Sequence, residues 1–193
     1  MEKIELNLIK EAKKGNAQAF EKLIKQHEQK IYNLLLKMTN NRVFAEDLFQ
    51  ETFLTVWKKI KSFKGNSEFS TWLYRIAVNT VLMKHRKKTI NSVSFDTPIL
   101  TSTGEIKRDF GDDWSKNPLA TLENKELKEE LNKAIKSLPD KYRTVLVLRD
   151  IEYMSNEEVR KILKISIPSV KSRLHRARLF LRDRISKYFK GHK

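Results

Sequence analysis

The chain has 193 residues, with 40 Lys and Arg against 24 Asp and Glu, a formal net charge of +16. It has no cysteine, which excludes disulfides, thiolate metal sites and cysteine nucleophiles. No apolar run approaches the roughly 18 residues of a membrane span, and no signal peptide precedes the first amphipathic stretch, so a cytoplasmic protein is expected. A surplus of cations on this scale makes a polyanion the expected partner. The charge is uneven. Residues 1–87 carry seventeen basic and nine acidic side chains, residues 88–118 four and five, and residues 119–193 nineteen and ten. Two basic blocks are thus joined by a slightly acidic connector.

In chain order, residues 5–14 and 17–39 read as helices, with Gly15-Asn16 as the break. Phe20, Leu23, Ile24, His27, Ile31, Leu34 and Met38 keep the 3.6-residue period. His27 falls on the apolar side and reads as a packing residue, because nothing pairs with it at metal-ligand spacing. Asn40-Asn41 opens the next helix, residues 42–60, with Ala45, Phe49, Phe53, Val56 and Ile60 as its buried stripe. On the far side Asp47, Gln50, Glu51, Leu54 and Lys58 share a sector of about 100°. The pattern fits a solvated face with one stray leucine. It fits equally a protein-docking face with an apolar centre and a polar rim.

A polar loop at 62–70 leads to a helix that Ser70 can cap, from Thr71 to about Lys87. Trp72, Leu73, Ile76, Thr80 and Met83 form its inward stripe, joined by Phe69. Thr71, Arg75, Asn79 and Arg86 line another face. Aromatics beside a basic, amide-bearing helix suit unstacked bases on single-stranded DNA. On the pattern alone, Phe69 and Trp72 as ordinary core is the simpler reading. Residues 88–117 hold no sustained period and read as a flexible linker. Residues 119–136 form a charged amphipathic helix, and Pro139 starts another, packed through Tyr142, Val145, Leu146 and Leu148.

Residues 155–185 read as helix, tight turn, helix. Ser155 and Glu158 form a capping box at the first start. Ser166 caps the second, with Pro168 in its first turn, where a missing N–H costs little. In the second helix Val170, Leu174, Ala177, Leu181 and Ile185 share one stripe. Ser169, Ser172 and Arg176 point the opposite way, flanked by Lys171 and His175. One face can bury while the other offers hydroxyls and long donors to a major groove. From Val159 to the end there are twelve Lys or Arg and one acid, Asp183, so phosphate neutralisation would dominate affinity. A basic helix lying on a membrane would not need a capped partner helix and a turn before it. With no strand pattern, internal repeat or Gly-rich phosphate loop, the fold class is all-α: two small helical domains joined by a linker.

Three stretches carry a resemblance. AEDLFQETFLTVWKKI at 45–60, FSTWLYRIAVNTVLMKHRKK at 69–88 and LPDKYRTVLVLRDIEYMSNEEVRKILKISIPSVKSRLHRARLFLR at 138–182 resemble, in order and spacing, the extracytoplasmic-function (ECF) sigma factors of bacterial RNA polymerase. The resemblance implies a region-two domain at 1–88, a linker at 89–118 and a region-four domain at 119–193. It implies that Asp47, Gln50, Glu51 and Leu54 dock on the β′ clamp helices of core polymerase. The 64–70 loop, with Phe69, and the helix carrying Thr71, Arg75 and Asn79 would hold extruded bases of the minus-ten element. Region four would touch the β flap and read the minus-thirty-five duplex through Ser169, Lys171, Ser172, His175 and Arg176, with Arg149 on the DNA backbone. It further implies promoter DNA as ligand, an anti-sigma factor as antagonist, and no cofactor, metal or active site of its own.

The chain departs from the family's pattern at two places in the helix-turn-helix. Lys164 stands where the turn usually holds glycine, and a side chain at positive φ costs about 1 kcal/mol. Arg160 replaces a small alanine, which puts close helix packing in question unless the stem runs outward. The linker's length is informative. Thirty residues reach about 100 Å extended and about 30 Å as free coil. Two duplex elements some 25 base pairs apart lie about 85 Å apart, so the connector must be held stretched on a promoter. A polymerase channel would do this, and the linker's Asp109, Asp112 and Asp113 suit a basic one.

Two other functions compete. A stand-alone helix-turn-helix regulator would bind duplex DNA tightly without polymerase, usually at a palindrome. A metal-dependent nuclease would have to use Glu46, Asp47 and Glu51, which diverge around one helix with no further acid or histidine to complete a two-metal site.

Overall fold

The computed structural model describes residues 3–90 and 125–191, and throughout them the ordered elements are helices. The expected linker at 89–118 falls almost wholly outside the described residues. The N-terminal block holds α1 (Lys3–Lys13), α2 (Ala17–Lys25), α3 (Glu28–Thr39), α4 (Arg42–Lys59) and α5 (Phe69–Ile90). The C-terminal block holds α6 (Lys125–Ser137), α7 (Asp140–Leu146), α8 (Asn156–Leu163) and α9 (Ile167–Gly191). A π turn, Val147–Ile151, continues α7.

Residues 17–39 form two helices, not the expected one. The break falls at Gln26-His27, where the His27 N–H turns back to the Ile24 carbonyl at 2.8 Å. The turn places the half-buried His27 ring 3.1 Å from the Glu5 carboxylate and 5.5 Å from the Phe69 ring, so it is a packing residue with one polar partner. Asn16 and Asn41 cap α2 and α4 through their side-chain oxygens. Asn40 ends α3 in the left-handed region, which asparagine tolerates better than most residues.

In α4 the fully buried residues are Ala45, Leu48, Thr52 and Val56. Phe49 and Phe53 pack at the edge, 4.6 Å apart, and are only half-buried. The expected stripe is therefore rotated by about one position. Helix α5 differs more. Leu73, Tyr74, Ala77, Val78, Thr80 and Val81 are buried, Trp72 and Ile76 are half-buried, and Met83 is 61% exposed. A single inward stripe does not describe α5 because it packs against α3 and α4 on one side and α8 on the other.

In the C-terminal block the expected helix at 119–136 is described from Lys125. Val159 and Ile162 of α8 bury against Val170, Leu174 and Ala177 of α9 in a core shared with α7. That core is continuous with the core of the N-terminal block.

Candidate polymerase and DNA interfaces

The helix-turn-helix forms as its sequence requires. The Glu158 N–H donates to Ser155 Oγ at 3.2 Å, and the Ser155 N–H donates to Glu158 Oε2 at 2.7 Å. The hydrogen bond from Ser155 holds the Glu158 carboxyl below its ordinary range. Ser166 caps α9 by accepting from the Ser169 N–H at 3.3 Å. Lys164 ends α8 in the left-handed conformation, φ 54° and ψ 44°, in the place a glycine would occupy without strain. Arg160 runs outward, its Nε 3.0 Å from Glu157 Oε1. Substituting arginine for alanine there leaves the α8–α9 contact to Val159 and Ile162.

Lys171, Ser172, His175 and Arg176 lie exposed on one face of α9. Among the described residues no acid pairs with Lys171, His175 or Arg176, and Arg176 Nη1 donates to the Tyr142 hydroxyl at 3.3 Å. Ser169 is half-buried and its hydroxyl accepts from Ser166 Oγ at 3.1 Å. The opposite stripe is closed: Val170 and Ala177 are wholly buried, and Leu181 and Ile185 pack against the core. The face is therefore unneutralised, polar and backed by a fixed hydrophobic seam. Long donors of this kind can reach base edges and phosphates.

Arg149 sits on the π turn. Its Nη1 donates to the Met154 carbonyl, which ties down the loop before α8, and its Nε is buried with no hydrogen-bond partner in the structure. The neighbouring Asp150 points the other way and receives Arg178 of α9. The widened turn thus buries Val147 and Leu148 together while sending the next two side chains to different elements.

On α4, Asp47 and Gln50 are exposed, Leu54 is 60% exposed, and Glu51 is half-buried, paired with Lys84 of α5 at 2.9 Å. The sequence reading missed Val43, 70% exposed, and Trp57, 36% exposed. Residues 43, 47, 50, 54 and 57 recur at intervals of four, three, four and three, which sets them on one face of a 3.6-residue helix. The spacing was available in the sequence, but Val43 and Trp57 are apolar and pass for core there. The result is a long outward stripe with apolar ends, an apolar point near its middle and polar residues between. Glu46 pairs with Arg42 at 3.0 Å and Glu51 with Lys84, so the three carboxylates weighed for a nuclease do not converge. Among the described residues no group of three His, Cys, Asp or Glu could hold a metal ion, and no helix is long and apolar enough to cross a membrane.

The expected base-binding residues of α5 separate into two sets. Phe69 is wholly buried among His27, Phe63 and Trp72, and Thr71 is 8% exposed. No base can stack on Phe69 while this core is closed, because the ring is already covered on all sides. Asn79 is exposed. Arg75 is half-buried, its Nη2 donating to the Lys161 carbonyl of α8 at 2.7 Å.

A two-block helical protein with a capped helix-turn-helix and an outward-facing acidic and apolar stripe has the architecture of a bacterial sigma factor. Sigma-70 region 2 matches residues 23–90 and Sigma-70 region 4 matches residues 128–181. The chain is 38% identical over 181 residues to the ECF RNA polymerase sigma factor SigW of Bacillus subtilis, covering 92% of this chain and 94% of the relative. It is 30% identical to the ECF RNA polymerase sigma-E factor of Haemophilus influenzae over 182 residues, 92% and 93% of the two chains. The fold matches that of the sigma factor RpoE in complex with the anti-sigma factor NepR from Bartonella quintana, with TM-score 0.63 and 21% identity over 88% of this chain and 98% of the other. It also matches CnrH in complex with the cytosolic domain of CnrY, with TM-score 0.62 and 19% identity over 98% and 99%. The chain belongs to the ECF sigma factors, and directs transcription initiation as a subunit of RNA polymerase. Family membership disfavours the stand-alone regulator.

Proposed function

We propose a division of labour within this sigma factor. The α4 stripe, through Asp47, Gln50, Glu51 and Leu54 with Val43 and Trp57 at its ends, docks on the β′ clamp helices of core polymerase. The exposure of Leu54 at the centre of a polar face carries this reading, since buried apolar points ringed by polar groups dominate protein interfaces. Residues 1–88 form the region-two domain, 89–118 the connector and 119–193 the region-four domain, which also meets the β flap. Lys171, Ser172, His175 and Arg176 read the minus-thirty-five duplex, with Ser169 and Arg149 near the backbone. Arg75 and Asn79 contact extruded minus-ten bases, and Phe69 and Thr71 support that surface from beneath.

The chain performs no chemistry of its own; the polymerase supplies the active site. It works in the cytoplasm without a cofactor. An anti-sigma factor is its antagonist, a reading supported by the fold shared with RpoE bound to NepR. The purified chain is expected to co-elute with bacterial core polymerase and to direct transcription from genomic promoters that share two spaced elements. Failure to bind core, alongside nanomolar binding to a palindromic duplex, would overturn the assignment.

A further inference from the structure

The loop between α4 and α5 makes few bonds of its own. Lys64, Gly65, Asn66 and Glu68 are exposed, and among the described residues no hydrogen bond ties the backbone of residues 64–67 to another element. Its placement is therefore set at its two ends. Phe63 leads into the loop and Phe69 leads out of it. Both are buried, their rings meet edge to face at 5.6 Å, and Trp72 packs against each. Helix α1 reaches both ends. Lys13, the last residue of α1, donates to the Phe63 carbonyl, and its ammonium lies over the Phe63 ring, 5.7 Å from the centroid. About two turns earlier, Glu5 lies 3.1 Å from His27 Nε2, and the His27 ring lies 5.5 Å from Phe69. Ile9 and Ala12 are buried between these two contacts, which anchors the helix in the core.

A lysine in the last turn of a helix is ordinarily a solvated cation that complements the helix dipole. Lys14 behaves that way: its side chain is 71% exposed and pairs with Glu11 in the same helix at 2.7 Å. Lys13 does not. It is half-buried, and its acceptor lies 50 positions further along the chain. That acceptor belongs to the residue where a short 3-10 turn, Ile60–Ser62, gives way to extended chain. A charged donor makes a stronger bond to a carbonyl than a neutral one, so it fixes the direction in which the chain enters the loop. Two residues on, Gly65 bends the chain at φ 76°. The Sigma-70 region 2 match begins at residue 23, so this brace comes from a helix that precedes the matched stretch.

We propose that Lys13 is a positioning residue for minus-ten reading. It touches no base; it holds the mouth of the 64–68 loop, so that the loop offers one fixed surface to an extruded base. The proposal rests on the reading of the 64–70 loop as part of the minus-ten surface. A loop held in its binding conformation gives up little freedom when a base arrives. Once released, it must be ordered by the base itself, and it can shift to accommodate a wrong one. Loss of the brace therefore lowers discrimination between bases, and not affinity alone.

The test uses holoenzyme assembled from core polymerase and the full-length chain, transcribing a genomic promoter whose minus-ten element is randomised. Sequencing the transcribed templates gives the base preference at each position. Lys13→Met keeps the side-chain stem and removes the donor. It is expected to reduce the ratio of best to worst base about fivefold or more at the positions the loop meets. Preference within a randomised minus-thirty-five element, and co-elution with core, should not change. Lys13→Arg restores a donor and should restore the preference. Lys14→Met removes the same charge from the neighbouring exposed position and should leave the preference intact. A uniform loss over all sequences, equal in Lys13→Met and Lys14→Met, would make Lys13 a remote charge and overturn the proposal. A fall in thermal stability with the preference unchanged would reduce Lys13 to a structural tie, and overturns it equally. The double variant Asn66→Ala with Ser67→Ala separates the proposal from its premise. A changed preference there, beside none in Lys13→Met, keeps the loop as a reader and removes the brace. An unchanged preference in the loop variant removes the reading of the loop itself, and the role of Lys13 goes with it.

Discussion

Arg178 of α9 forms a two-point contact with Asp150 of the π turn, Nε to Oδ2 at 2.9 Å and Nη2 to Oδ1 at 2.7 Å. The pair ties α9 to the bend that precedes the helix-turn-helix. The hydrogen bond to Asp150 raises the Arg178 pKa against the opposing effect of burial. Replacing Asp150 by Ala leaves a partly buried guanidinium without its acceptor, and is expected to cost about 2 kcal/mol. Urea denaturation checks this, and the double variant with Arg178→Ala should recover part of the loss.

Lys164 holds φ 54° at the end of α8. Glycine adopts this conformation without the clash between Cβ and the following carbonyl. Lys164→Gly is expected to stabilise the protein by up to about 1 kcal/mol, reduced by glycine's greater freedom when unfolded. Thermal unfolding measures it, and a fall in stability would mean that the lysine stem makes a packing contribution larger than its strain.

Tyr74 has its pKa raised from 10.0 to about 12, first by burial and then by Glu152 and Glu158. A phenol that keeps its proton longer in the folded state contributes stability in full below pH 10.0, and loses it as pH rises toward about 12. Alkaline unfolding should therefore steepen across that window, and Tyr74→Phe should remove the added steepness.

Asp47, Gln50 and Leu54 are exposed among the four expected polymerase contacts, while Glu51 is already engaged by Lys84. Asp47→Ala with Leu54→Ala is expected to weaken core polymerase binding about tenfold or more, with duplex binding by α9 unchanged. Co-elution with core and a duplex shift assay separate the two. Equal loss of both would mean that the two surfaces are not independent.

Arg176 lies on the exposed face of α9, its Nη1 donating to the Tyr142 hydroxyl. Arg176→Ala is expected to cost about 1–3 kcal/mol at one position of the upstream element and to relax sequence preference there. Lys171→Ala, if that lysine meets phosphate, should weaken binding uniformly and flatten its salt dependence. Binding to duplexes varied one base pair at a time, at two salt concentrations, distinguishes these outcomes.

Local chemistry alone determined a large part of this protein. The reciprocal bonds of Ser155 and Glu158, the Ser166 cap and the stripe through Val170, Leu174 and Ala177 involve residues within a few turns of one another, so their spacing announces them. The order of the three family stretches likewise needs no coordinates. Tertiary structure decided what periodicity cannot express. Helix α5 is covered by its neighbours α3 and α4 and also by α8, far away in the chain, so its buried set is wider than one stripe, and Met83 falls outside it. Phe69 goes into the core because His27, Phe63 and Trp72 converge on it, whereas Val43 stays 70% exposed and Trp57, met by Phe20 at 4.8 Å, stays 36% exposed. Arg75 looks like a free cation in the sequence. It is held at Lys161 because 86 positions further along the chain α8 brings an unpaired carbonyl to within 2.7 Å. A long-range contact of that kind depends on how the blocks pack, and helical spacing carries no information about it.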